Sequence, residues 1–200
     1  MFCLYLRLRR LWIFVSIVSI SSLTSWSYAQ EKSPIETLKL RDAMLQELDI
    51  SKGNLIQEET MRRSIISGFD FKRHSRISLG KYWRNRTEEE QGEFVSVMRK
   101  WTEQKALDKL RKSSDKTDYD SQEVRGNQAL VKTILWYKGI KTLVDYKMGL
   151  IKGKWLIYDM VIDGASIALA NRDAFYQKIN KSSYEELLST LRLKILENDQ

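Results

Sequence analysis

The chain has 200 residues, 34 Lys+Arg against 26 Asp+Glu, a net charge of +8, one cysteine and one histidine. One cysteine excludes a disulfide-stapled scaffold, and one histidine beside it excludes thiolate clusters and multi-histidine metal centres. A single hydrophobic core must hold the fold, and a chain of this length can bury one.

Residues 1–29 read as a leader. Arg7, Arg9 and Arg10 form a basic start, Leu11 to Ile20 an apolar run, and Ser27 and Ala29 are small residues three and one before a cut ahead of Gln30. That is the pattern of a cleaved secretory signal peptide, and it predicts one exported domain over residues 30–200. Cys3 precedes the apolar run, which argues against a lipoprotein, and it leaves with the leader. Removing the three leader arginines lowers the net charge from +8 to +5. Export argues against nucleic acid as a partner. Acidic lipid headgroups or an acidic protein surface suit a modestly basic exported chain.

The first mature half reads as helical. Ser33-Pro34-Ile35-Glu36 combines an N-cap serine, a proline at the first helical position and a capping-box glutamate. Ile35, Leu38, Leu45 and Leu48 follow at helical spacing. Asn54 can cap a second helix with Met61, Ile65 and Phe69 on one face. Phe69 to Arg84, FDFKRHSRISLGKYWR, interleaves aromatic and basic residues. Such a run suits an amphiphile with apolar tails and an anionic head, or a linker clamped to the core by its aromatics. Thr87-Glu88-Glu89-Glu90 is a capping box opening a long helix with Phe94, Met98 and Trp101 in a stripe.

The polar run Lys112 to Asp118 reads as a mobile loop. Turn candidates Gly126-Asn127, Lys138-Gly139 and Lys152-Gly153 then divide Tyr119 to Asp163 into a four-stranded antiparallel meander. Ser183 and Glu186 box a last helix bearing Leu187, Leu188, Leu191 and Ile195. Helices followed by a meander define an α+β fold.

Two-residue hairpins fix the register. The turn at Lys138-Gly139 pairs Val131 with Tyr146, Leu135 with Thr142, and Lys132 with Asp145. The turn at Lys152-Gly153 pairs Leu150 with Trp155 and Met148 with Ile157. Carried on, it pairs Tyr146 with Asp159 and Val144 with Val161. Asp159 then sits on the apolar face, opposite Tyr146. Leu156, Tyr158, Met160 and Ile162 fall on the other face, with cover expected from the segment after Gly164.

Catalysis has thin support. Asp163, on the same face, lies about 13 Å from Asp159 along an extended strand, too far for a glycosidase pair. Asp159 with Tyr146 could abstract a proton in a dry pocket, or Asp159 could be a structural acceptor for the Tyr146 hydroxyl. His74 lacks companions for a metal site. The sequence contains no G-x-S-x-G, P-loop, Rossmann or H-E-x-x-H motif.

The ordered set FDF (Phe69–Phe71), LGKYWR (Leu79–Arg84), Thr87 with Glu89, Glu93 and Phe94, VDYKM (Val144–Met148), and GKWLIYDMVIDGASI (Gly153–Ile167) with Asn171-Arg172 and Phe175 resembles the MlaC family. These are soluble periplasmic carriers of the phospholipid transport system that maintains outer-membrane asymmetry. The likeness runs from about Ser33 to Leu191. The chain departs from the family pattern at TEQKAL (Thr102–Leu107), where the family carries a tyrosine. It departs again where Asn171-Arg172 and Ala174-Phe175 stand for Tyr-Arg and Gln-Phe.

The resemblance implies a cone-like fold, similar to the nuclear-transport-factor-two-like cones, enclosing an apolar cavity. Its ligand would be phospholipid, with no cofactor, no metal and a monomeric carrier. Its partners would be an inner-membrane ATP-driven Mla transporter complex and an outer-membrane lipoprotein–porin complex. Cavity candidates are Phe69, Phe71, Leu79, Tyr82, Trp83, Phe94, Met98, Val131, Val144, Tyr146, Met148, Ile157 and Val161. Headgroup or mouth candidates are Arg84, Ser166 and Arg172, with Asp159 as a structural polar group. Two alternatives stay open: a carrier of another amphiphile such as a hopanoid, and a cone-fold enzyme using Asp159 and Tyr146.

Overall fold

The computed structural model describes residues 32–50, 54–111 and 115–197. Residues 1–29, read above as a leader, therefore lie outside the described residues. Six α-helices and a five-stranded antiparallel sheet make up an α+β fold: α1 Pro34–Ile50, α2 Leu55–Ser67, α3 Phe71–Leu79, α4 Glu88–Arg111, β1 Lys116–Arg125, β2 Gln128–Tyr137, β3 Ile140–Ile151, β4 Lys154–Ile162, β5 Ala165–Ser166, α5 Ile167–Lys181 and α6 Tyr184–Glu197. A 3₁₀ helix, Gly80–Asn85, joins α3 to α4.

Local chemistry sets the helix starts. Ser33 N–H donates to Glu36 Oε2 at 2.7 Å while Glu36 N–H donates to Ser33 Oγ at 3.2 Å. Thr87 and Glu90 repeat that exchange ahead of α4. Asn54 accepts from Gln57 N–H at the start of α2, and Asp70 accepts from Arg73 N–H at the start of α3. Each such cap is worth about 1 kcal/mol. The interleaved segment Phe69–Arg84 is thus mostly helix rather than linker.

The sheet order is β1-β2-β3-β4-β5. Lys138 and Gly139 have φ of 49° and 78°, and Lys152 and Gly153 have 49° and 74°. Both central residues at positive φ match the right-handed twist of the flanking strands, so the two-residue turns lock the β2–β3 and β3–β4 registers. Val131 pairs with Tyr146, Lys132 with Asp145, and Leu135 with Thr142, as the turn chemistry predicts.

Three expectations are corrected. The meander has a fifth strand, since Ala165 and Ser166 pair with Ile162 and Val161. β1 begins at Lys116, inside the run read as a loop. The third concerns β4. Met148 pairs with Ile157 and Leu150 with Trp155, but Lys147 pairs with Asp159, leaving Tyr158 as an extra residue. This β-bulge inverts the side-chain alternation beyond it. Tyr146 therefore faces Met160, not Asp159, and Val144 faces Ile162, not Val161. Val161 pairs with Asp145 on the opposite face.

The far edge of β4 is covered twice. β5 takes its end, and Gly68–Asp70 takes its middle: Ile157 N–H donates to the Gly68 carbonyl at 2.9 Å and Asp70 N–H to the Ile157 carbonyl at 2.8 Å. β1, the other edge, is largely exposed and charged, a pattern that discourages strand addition.

Three apolar clusters hold these layers. Leu79, Trp83, Phe94, Val97, Met98, Phe175, Tyr184, Leu187, Leu188 and Leu191 form an all-helical core. Leu38 of α1 packs on Ala129, Val131, Val144, Tyr146, Met148, Trp155 and Ile157 of the sheet. Leu45, Leu48, Ile65, Ile66 and Phe71 join α1, α2 and α3. No helix of the described residues is long and apolar enough to cross a membrane.

Candidate functional site

Between these clusters the packing opens into a cavity of about 460 Å³. One wall is the sheet: Leu135 of β2; Thr142, Val144 and Tyr146 of β3; and Ile157, Tyr158, Asp159, Met160 and Ile162 of β4. Phe69 leads from the other wall into three helices, with Phe71 and His74 of α3, Trp101 and Thr102 of α4, and Ile167 and Asn171 of α5. The volume lies in the usual range for a small-molecule site, and the lining is mainly aliphatic and aromatic.

Of the sequence candidates, Phe69, Phe71, Val144, Tyr146 and Ile157 line this cavity. Leu79, Trp83, Phe94 and Met98 do not: they are spent in the helical core, with Tyr82 packed against it. Phe94 meets Phe175 edge to face at 5.9 Å between centroids. Their helical stripe is filled by α5 and α6, elements far away in sequence. Val131 and Met148 are buried in the cluster under α1. Val161 is carried off the cavity face by the bulge, and Met160 and Ile162 take the inward positions.

The mouth candidates also fall elsewhere. Arg84 is exposed on the 3₁₀ helix. Arg172 is half-exposed, 3.8 Å from Asp173. Ser166 is the N-cap of α5 and accepts from Leu169 N–H at 3.2 Å. The basic residues of the interleaved segment cap aromatic rings: Arg73 lies 3.5 Å from the Tyr158 ring centroid, and Lys81 sits over Tyr82 and Tyr176.

Asp159 is 3% exposed. Its carboxylate accepts from Ala168 N–H at 3.0 Å, Ser166 hydroxyl at 2.7 Å and Lys147 Nζ at 3.1 Å. Tyr146 is not among these donors, so the expected tether of Asp159 to Tyr146 is corrected. Tyr146 has its own partner, the Arg41 guanidinium, which donates to its hydroxyl at 3.0 Å. Arg41 also donates to Asp42 at 2.5 Å, and Tyr119 donates to the other oxygen of Asp42. This buried cation is thus held by an ion pair behind the cavity wall.

His74 carries a further polar contact from helix to sheet. Nδ1 lies 3.0 Å from the Tyr158 carbonyl oxygen, and Nε2 lies 3.4 Å from Asn171 Nδ2. Burial pushes its pKa below the usual 6.5, against the upward pull of the Tyr158 carbonyl and the Asp159 charge. No group of three or more His, Cys, Asp or Glu among the described residues could hold a metal ion. Sequence reasoning weighed His74 only as a metal ligand. Trp101, Thr102, Ile167 and Asn171 are not among the cavity candidates read from the sequence, and no local pattern encodes their approach to the sheet.

An α+β shell around an apolar cavity is the arrangement of a protein that encloses a ligand. The chain belongs to the MlaC family, whose model, described as MlaC protein, matches residues 39–193. Among solved structures, the fold is similar to that of a phospholipid-binding protein from Ralstonia solanacearum, determined in complex with a phospholipid. That likeness has a TM-score of 0.69 at 20% identity, and covers 82% of this chain and 97% of the other. No curated protein matches the chain.

Proposed function

We propose that this protein is a soluble periplasmic phospholipid carrier that buries acyl chains in the cavity between sheet and helices. The observation that carries the proposal is the apolar cavity itself, lined by Phe69, Phe71, Trp101, Val144, Ile157 and Met160, in a chain of the MlaC family. The Ralstonia relative, solved with a phospholipid, supports the choice of ligand. The cone-like, nuclear-transport-factor-two-like shape belongs to this proposal, as do the signal peptide and export.

The physical need is plain. Two acyl chains carry about 30 methylenes, each costing about 0.8 kcal/mol in water. A free lipid cannot cross an aqueous gap against that cost, whereas a dry cavity replaces the membrane interior. Membrane and cavity offer similar burial, so affinity alone gives no direction. Direction would come from an inner-membrane ATP-driven Mla transporter, with an outer-membrane lipoprotein–porin complex at the other end and a monomeric carrier between.

Native mass spectrometry and lipid extraction on protein purified from the periplasm test this. The expected cargo is a diacyl phospholipid on a chain beginning at Gln30. Protein that carries only a polycyclic lipid, or that binds no phospholipid when offered vesicles, would overturn it. Ile157→Asp, which places a carboxylate on the cavity wall, should abolish lipid retention.

A further inference from the structure

Two polar side chains from different helices meet on the helical wall of the cavity. His74 of α3 and Asn171 of α5 both line the cavity and approach at 3.4 Å. The ring's tautomer follows from its other contact. Nδ1 faces the Tyr158 carbonyl at 3.0 Å, which can only accept, so Nδ1 carries the hydrogen. Nε2 of the neutral ring is then an acceptor, and the Asn171 amide nitrogen must donate to it. That contact settles which way the carboxamide is turned. One N–H is engaged by His74, while the second N–H and the carbonyl oxygen have no partner among the described residues.

An amide left without partners against an apolar ligand is unfavourable, and a ligand that pairs it gains accordingly. We propose that Asn171, positioned by His74, is a specificity-determining residue that hydrogen-bonds the acyl ester linkage of the cargo. The second Asn171 N–H donates to an ester carbonyl, so the cavity distinguishes ester-linked lipid from lipid with the same tails and no carbonyl. The inference rests on the phospholipid reading and adds a point of recognition inside the cavity, apart from any headgroup contact.

The test compares dipalmitoyl phosphatidylcholine with its dihexadecyl ether analogue, which keeps headgroup and tails but lacks both ester carbonyls. Each lipid is offered from vesicles to the delipidated mature chain, and occupancy is read by native mass spectrometry in direct competition. The expected result is a preference for the ester lipid of roughly tenfold, the worth of one buried hydrogen bond. Asn171→Leu should bring the preference close to one, with folding checked by its thermal melt. Equal binding of the two lipids by the unaltered chain would overturn the inference and leave the carrier reading standing. So would a preference that persists in folded Asn171→Leu. Failure of the unaltered chain to take up either lipid would overturn both.

Discussion

Asp159 accepts the backbone N–H of Ala168 at 3.0 Å, so a strand residue holds down the first turn of the helix that follows it. Ala168 lies in the first turn of α5, where N–H groups have no intrahelical partner. A carboxylate there meets both an orphan donor and the positive end of the helix dipole. Ser166, the N-cap of the same helix, donates its hydroxyl to the other carboxylate oxygen at 2.7 Å.

Asp159→Ala should therefore cost about 2–3 kcal/mol, because it leaves a buried N–H and a part-buried hydroxyl without their acceptor. Asp159→Asn keeps an acceptor for Ala168 and should cost about half as much. Urea unfolding of both variants measures the order. A fully stable Asp159→Ala would contradict the anchoring of α5.

Tyr146→Phe removes the hydroxyl that takes the Arg41 guanidinium at 3.0 Å. Arg41 is 5% exposed and its Nη1 already lacks a hydrogen-bond partner among the described residues, so a second unmet donor should cost about 1–3 kcal/mol. In an Arg41→Met background the same change should cost less, since the donor is gone. A double-mutant cycle by thermal unfolding reads the coupling.

His74 is the sole histidine, and its pKa is held below 6.5 by burial in the folded chain. Above pH 6.5 both states leave it neutral. As pH falls below 6.5 the unfolded chain takes up the proton first, so stability drops until the folded pKa is reached. His74→Gln should flatten this part of the profile relative to the parent. Urea midpoints measured for both chains between pH 7.5 and 5 give the comparison, and parallel profiles would count against it.

Gly80 follows α3 with φ of 52° and ψ of −122°, a conformation that disfavours side chains. A Cβ there would also overlap the Tyr176 hydroxyl and stand 3.0 Å from Arg172 Cδ. That hydroxyl accepts from Lys81 N–H at 2.7 Å, so it is not free to move away. Gly80→Ala should cost about 3 kcal/mol from strain and overlap together. Calorimetry should show a melting point lowered by roughly 6–12 °C.

The caps and hairpins were legible because their chemistry is local. Ser33 with Glu36, Thr87 with Glu90, and the Lys-Gly turns each fix structure within four residues. The helix α5 was not assigned, although Ser166 carries an N-cap side chain, because the segment after Gly164 was read only as cover for the last strand. The bulge at Tyr158 was invisible, since nothing in KWLIYDMVIDG marks which residue is extra. Cavity and filled core could not be separated either. Phe94 and Met98 meet Phe175 and Leu188 some 80 to 90 residues on, whereas Phe71 and Ile157 face open space.

β4 is best regarded as two short strands of opposite parity spliced at Tyr158. Before the splice, the odd-numbered Trp155 and Ile157 turn inward; after it, the even-numbered Met160 and Ile162 do so. The splice lets one ribbon line the cavity along its length and still give a buried carboxylate to the start of the next helix. Deleting Tyr158 would leave the composition of the strand nearly unchanged and exchange its inside for its outside. What this stretch must preserve is a count of residues as much as their chemistry.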